Sequence, residues 1–172
     1  TPKFLPTRFL YDARGSELFE NLTALAASSP PLTSPALLLP SFPSFSSSLP
    51  LFPFLFSFCS LTLCPPDLLL AATALLPAYV PIDVSAAALE EASTRSTIRF
   101  PDLEIVPIVA DFTKARLPGR FAERAKVGFF PGSTIGNFEP DGAVALLKSF
   151  AQIVGVGGRL MIGVDLRKDR AI

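Results

Sequence analysis

At 172 residues and 18.4 kDa the chain has room for one ordinary domain, or part of one, and for little else. Fifteen Lys and Arg balance fifteen Asp and Glu, so neither nucleic acid nor an anionic membrane surface is an expected partner. Histidine is absent, which excludes a His-based triad, an HExxH zinc site or any imidazole base in this chain; Cys59 and Cys64 lack the further ligands of a structural zinc site, and no metal is expected.

In chain order, the first residues include no initiator Met and no basic stretch leading into an apolar run, so they read as an excised interior and not as a secretory signal. The 46 residues between Glu20 and Asp67 hold no charge. From Ser28 to Pro66, ten Ser, nine Pro, nine Leu and six Phe make up 34 of 39 residues. These are the four amino acids that pyrimidines alone can encode, so a polypyrimidine tract read through a retained intron or a wrong frame would give this alphabet. A genuine low-complexity insert is the alternative. Leu51 to Leu63 is shorter than the roughly 20 residues a bilayer core demands and is interrupted by Pro53, so no transmembrane helix is expected.

Beyond the insert, strands and helices alternate. Leu68 to Leu76 reads as a helix. Tyr79 to Val84 is a β-branched strand, followed by Ser85 as an N-cap and a helix with Leu89, Ala92 and Ser96 on one side. Leu103 to Ala110 and Lys126 to Phe130 are further apolar strands. Asp141 is expected to cap a helix with apolar positions 143, 146, 147, 150 and 154, closed by Gly155, and Gly158 to Val164 is a last strand. Continuous rather than alternating hydrophobicity marks strands buried on both faces, hence a doubly wound α/β fold with a mainly parallel sheet. The dense polar run Asp165 to Arg170 makes the C-terminal end read as a second truncation.

In such a sheet, ligands sit outside the carboxyl ends of the strands. Asp83 ends one strand, and its carboxylate would either accept hydrogen bonds from both hydroxyls of a ribose or merely cap the following helix. Asp111 and Phe112 end the next and offer an acceptor for an exocyclic amine and a ring for stacking on a base; an ordinary loop start with a buried Phe is the competing reading. Asn137, after Gly136, reads locally as a turn residue.

Four strings then stand in a telling order: Phe9-Leu-Tyr-Asp-Ala-Arg-Gly-Ser-Glu-Leu-Phe19, Val80-Pro-Ile-Asp-Val-Ser85, Phe130-Pro-Gly-Ser-Thr-Ile-Gly-Asn-Phe138 and Ile162-Gly-Val-Asp-Leu-Arg-Lys-Asp169. Together they resemble the L-histidine Nα-methyltransferase family, enzymes that use S-adenosylmethionine to make trimethylhistidine for ergothioneine synthesis. The resemblance covers residues 1 to about 27 and about 67 to 172. It implies a class I, Rossmann-like methyltransferase with residues 1–27 as its N-terminal helical part and 67–172 as an incomplete cofactor-binding core, the insert read from composition as an artefact, 28–66, lying between them. It also implies that Asp83 binds the cofactor ribose, that Asp111 and Phe112 lie beside its adenine, that Asn137 holds the amino-acid end of the substrate L-histidine, and that Tyr11 is an aromatic near that substrate. Asp165 would support the pocket; no residue is assigned as catalytic. The expected location is cytoplasmic.

Departures from the family pattern bear on activity. The family carries a glycine-rich cofactor loop after its first strand, and here no glycine occurs between Gly15 and Gly119. Phe56 to Leu63 is an apolar surrogate for the central strand, but Pro65 and Pro66 fix φ and offer no N–H where the cofactor needs a donor-rich turn. A second substrate-side tyrosine and the C-terminal substrate lobe are also missing. The chain as written is therefore expected to have no measurable methyltransferase activity. Two rivals stand behind this reading: a non-catalytic Rossmann-like interaction module or non-functional gene-model product, and, last, a nicotinamide oxidoreductase, for which a Gly-x-Gly-x-x-Gly turn is lacking.

Overall fold

The computed structural model describes residues 54–58, 67–71, 76–112, 115, 117–121, 126–131 and 134–164. Tyr11, Asp165 and the first two residues of the Gly132-Ser-Thr-Ile-Gly-Asn137 string lie outside them. The strands are β1 (Phe54–Phe58), β2 (Ala78–Asp83), β3 (Glu104–Ile105), β4 (Ile108–Val109), β5 (Val127–Phe130) and β6 (Arg159–Ile162). The α-helices are α1 (Asp67–Ala71), α2 (Ala86–Arg99) and α3 (Pro140–Val154), with 3-10 turns at Gly119–Phe121 and Thr134–Asn137.

All strand pairs are parallel, in the order β3-β2-β1-β5-β6, with β4 continuing the β3 edge along β2. Counting β3 and β4 as one edge, the order is the doubly wound one, and the direction of strand addition reverses between β1 and β5. The edge is split where Pro81 on β2 faces the Val106-Pro107 pair: Val106 N donates to the Tyr79 carbonyl, but Pro81 has no N–H to return to the Val106 carbonyl. The single strand expected over Leu103 to Ala110 is thus two short ones.

The central strand comes from the uncharged segment. Phe54 to Phe58 pairs with β2 over its whole length and with β5 from Leu55 to Ser57, beginning two residues before the expected surrogate. Its alternation puts Leu55 among Leu69, Leu70, Tyr79, Leu89 and Phe129 on the face that α1 and α2 cover. Phe56 and Phe58 meet Val80, Ile82, Phe121, Phe130 and Phe150 on the face that α3 covers. Each fully buried Phe side chain is worth roughly 1.5–3 kcal/mol in removed apolar surface, so β1 is an energetic centre of the sheet and not a passive filler.

Local signals account for the helices. Ser85 caps α2, its Oγ accepting from Ala88 N at 3.3 Å, and Leu89, Ala92 and Ser96 form the buried side. In α3 the N-cap is Glu139 and not Asp141, because Pro140 takes the first helical position, where its fixed φ and missing N–H cost nothing; Asp141 falls in the first turn. Leu146, Phe150, Ile153 and Val154 are buried, and Leu147, expected to be apolar core, is exposed. Gly155 ends the helix at φ 77°. Among the described residues no helix is long and apolar enough to cross a membrane.

Candidate functional site

The carboxyl edge of the sheet gathers the residues of interest. β2 ends at Asp83, which is 5 % exposed. Its Oδ1 accepts from Ser85 N at 2.9 Å, fixing the turn that leads into α2, while the cap itself is Ser85. A carboxylate has about four acceptor positions, however, so the turn does not exhaust it. Burial pushes its pKa up, with the N–H groups of Ser85 and Val84 acting in the opposite direction. A desolvated acceptor at a strand end in this fold is chemistry suited to vicinal hydroxyls.

The Asp83 carbonyl accepts from Ala110 N at 2.9 Å, which ties the segment bearing Asp111 and Phe112 to the same edge. Phe112 is half-buried, its ring 5.7 Å from Phe130 and 6.3 Å from Phe150. That ring packs on the aromatic core of the face that α3 covers, as the buried-Phe reading expects. Asp111 is half-buried beside it.

On the other side of β1, Phe130 ends β5 and the chain passes through Pro131 into the 3-10 turn that bears Asn137. Thr134, buried within that turn, donates from Oγ1 to the Pro131 carbonyl at 3.4 Å, and Phe138 N donates to the Ile135 carbonyl at 3.2 Å. Ile135 and Phe138 pack on the core while Asn137 is exposed. Asp83 and Asp111 thus flank one side of the strand-order reversal and Asn137 the other. Sequence reasoning passed over Thr134, although it stands inside the string used for recognition. Phe130 and Phe150 are expected from the sequence as a strand end and a helix core position, but that their rings meet cannot be read from it, because it depends on long-range packing.

Two other features lie off this edge. Lys126, before β5, is buried and its pKa is lowered by desolvation, but it sits at the amino-terminal edge, its Nζ 3.6 Å from where a Cβ on Gly155 would be. A groove of about 490 Å³ runs between α2 and β4, lined by Leu89, Ser93, Thr97, Ile98, Pro107 and Val109. It presents neither an aromatic ring nor an acid at a strand end, so the carboxyl edge remains the better candidate.

A parallel sheet in this order, with helices on both faces, defines a Rossmann-like, doubly wound α/β domain. A model of the family described as histidine-specific, SAM-dependent methyltransferases matches residues 1–172, and the chain belongs to that family. It is 31% identical over 175 residues to histidine N-alpha-methyltransferase of Mycolicibacterium smegmatis, covering 98% of this chain and 53% of that protein. It is 32% identical over 176 residues to the protein of the same name from Mycobacterium tuberculosis, covering 99% and 54%. The chain therefore spans about half the length of these relatives.

The donor set fits such a cofactor unevenly. Asp83 and Asp111 put carboxylates and Phe112 a half-buried ring at the carboxyl edge, whereas the strand ends at the reversal, Phe58 and Phe130, are fully buried carbon.

Proposed function

We propose that this chain represents part of an enzyme that methylates the α-amino group of L-histidine, in the cytoplasm, giving trimethylhistidine for ergothioneine synthesis. Family membership together with the buried acid at the end of β2 is the observation that supports this reading best. In it, Asp83 accepts the ribose hydroxyls, Asp111 accepts from the adenine amine, Phe112 lies against the base, and Asn137 holds the amino-acid end of histidine with Tyr11 nearby. The cofactor, when bound, supplies an electrophilic methyl group on a sulfonium.

The residues themselves need only hold and orient. Methyl transfer would be an in-line displacement in which the neutral amine forms the N–C bond as the sulfonium S–C bond breaks to leave a thioether, the resulting ammonium losing its proton to water before the next transfer. Well-oriented reactants gain on the order of 7–11 kcal/mol over free ones. No imidazole base is required, consistent with a chain that has none. A neutral amide at Asn137 orients an amino group without adding charge. We further read the chain as written as inactive, and residues 28–66 as translated from codons that a spliced message would lack; sequencing the mature transcript tests the latter, and finding those codons retained refutes it.

The test of the site is made in a full-length relative. Replacing the asparagine that aligns with Asn137 by Ala should raise the histidine KM at least tenfold with a smaller effect on the KM for the cofactor. An unchanged histidine KM removes Asn137 from the site.

A further inference from the structure

The 3-10 turn from Thr134 to Asn137 is pinned on two of its sides. In such a turn residues three apart stand one above the other, so Ile135 and Phe138 share one side and Thr134 and Asn137 another. Ile135 and Phe138 pack on the core of the face that α3 covers, and Phe138 N donates to the Ile135 carbonyl at 3.2 Å. Thr134 is buried, and its Oγ1 donates to the carbonyl of Pro131, the residue after β5. The turn therefore has little room to retreat from a ligand, and its third side belongs to Gly136.

Gly136 is exposed, its φ is not positive, and a Cβ on it would meet no atom beyond its chain neighbours within 4 Å. Neither backbone conformation nor packing asks for a glycine there. Gly128 is the contrary case, since a Cβ on it would press on Leu160 and Phe58. Gly119 is as open as Gly136, but its turn sets Phe121 against Phe54 at the start of β1, on the opposite edge of the sheet. Gly136 is thus a glycine without a structural use that borders the proposed substrate residue, Asn137.

The reaction proposed above asks for space at that point. Each transfer forms an N–C bond as a sulfonium S–C bond breaks to a thioether. The first two are each followed by loss of a proton to water, and the third leaves a quaternary ammonium with no N–H. Three methyl groups are thus added to one nitrogen, beside a side chain held on a pinned turn. We propose that Gly136 is the clearance for those N-methyl groups and so sets the degree of methylation. With glycine the site takes the amine through to the trimethyl stage; an alanine methyl would fill much the space of one N-methyl and stop the sequence earlier. This rests on the assignment of Asn137 to the amino-acid end of histidine.

Gly136→Ala in this chain should melt within about 2 °C of the parent or above it, because nothing crowds the new methyl and an unfolded alanine has fewer states to lose. A clear loss of stability gives the glycine a structural use and overturns the inference. The chemical test transfers Gly136→Ala to the aligned position of the full-length Mycolicibacterium smegmatis relative, read by mass spectrometry of the products and by calorimetric titration with histidine and with trimethylhistidine. The expected result is accumulation of mono- and dimethylhistidine, with affinity for trimethylhistidine weakened about tenfold or more and affinity for histidine within about threefold of the parent, as overpacking at one methyl would give. An unchanged product ratio, an unchanged affinity for trimethylhistidine, or equal weakening for both ligands overturns the role. Asn137→Ala, transferred likewise, keeps two failures apart. If it weakens histidine binding while Gly136→Ala changes nothing, the clearance falls and the substrate site stands; if it leaves histidine binding unchanged, both fall.

Discussion

Burial raises the pKa of Asp83 above its ordinary 3.8, and the Ser85 and Val84 N–H groups only partly oppose it. With the folded value above the unfolded one, the native state binds more protons in the window that opens at 3.8, so there stability falls as pH rises. Above the folded value the penalty is constant and fully present. Asp83→Asn keeps an oxygen for Ser85 N and removes the penalty. We expect its urea midpoint at neutral pH to equal or exceed that of the wild type, with the advantage shrinking as pH falls towards 3.8. A difference independent of pH refutes this. Ser85→Ala separates capping from binding: it deletes the bond that Ala88 N donates to Ser85 Oγ and should cost about 1 kcal/mol in denaturant melts while nucleoside affinity changes less than twofold. A large loss of affinity instead would mean that the hydroxyl touches ligand. Both roles weighed for Asp83 from sequence concern one side chain, and local pattern alone has no means of showing that a carboxylate can hold a turn with one oxygen and retain acceptors on the same edge.

At the scale of elements, chain punctuation was legible where a residue type has one mechanical use. Ser85 began α2 and Gly155 ended α3 as their chemistry predicts. Asp141 was a tempting cap two residues from the true one, and the overlooked signal was Pro140, which fits the first helical turn better than any position beyond it. The split of the expected 103–110 strand was hidden for a different reason, because it needs Pro81 of another strand opposite Pro107. Gly155 supplies the sharpest prediction here. At φ 77° and ψ 177° it occupies a region that L side chains hardly enter, so Gly155→Ala should cost about 1–3 kcal/mol in unfolding free energy. A melt within error of wild type would show that the turn can reset. Gly128 makes a different demand: a Cβ there would lie 2.9 Å from both Leu160 Cδ1 and Phe58 Cε2, at the meeting of β1, β5 and β6. Gly128→Ala should therefore lose roughly 1–3 kcal/mol by overpacking, and the compensating change Leu160→Val should recover part of it.

For the molecule as a whole, alternation of strands and helices revealed the class of fold, but not which apolar run lies in the middle. That depends on pairing between residues far apart, and a Phe, Leu and Ser alphabet that reads as low complexity is also a workable buried strand. β2 and β5 meet only through β1, and since paired strands lie about 4.8 Å apart, removing β1 leaves two edges that cannot reach each other without moving the layers above and below. Deleting residues 28–66 should therefore abolish cooperative unfolding and expose edges that drive aggregation, whereas Ile98→Ala, on an exposed helix position, should shift stability by less than about 0.5 kcal/mol. Phe58→Ala lies between these. It empties the space against Phe150 and should cost about 3–5 kcal/mol, a large part of the roughly 5–15 kcal/mol that a domain possesses. If the deletion variant still melts cooperatively at wild-type temperature, another segment supplies the central strand, and the apolar floor beneath the strand-order reversal belongs to that segment instead. A message spliced without these codons has to meet the same requirement, so whatever replaces Phe54 to Phe58 in it must be buried on both faces and must end beside Phe150.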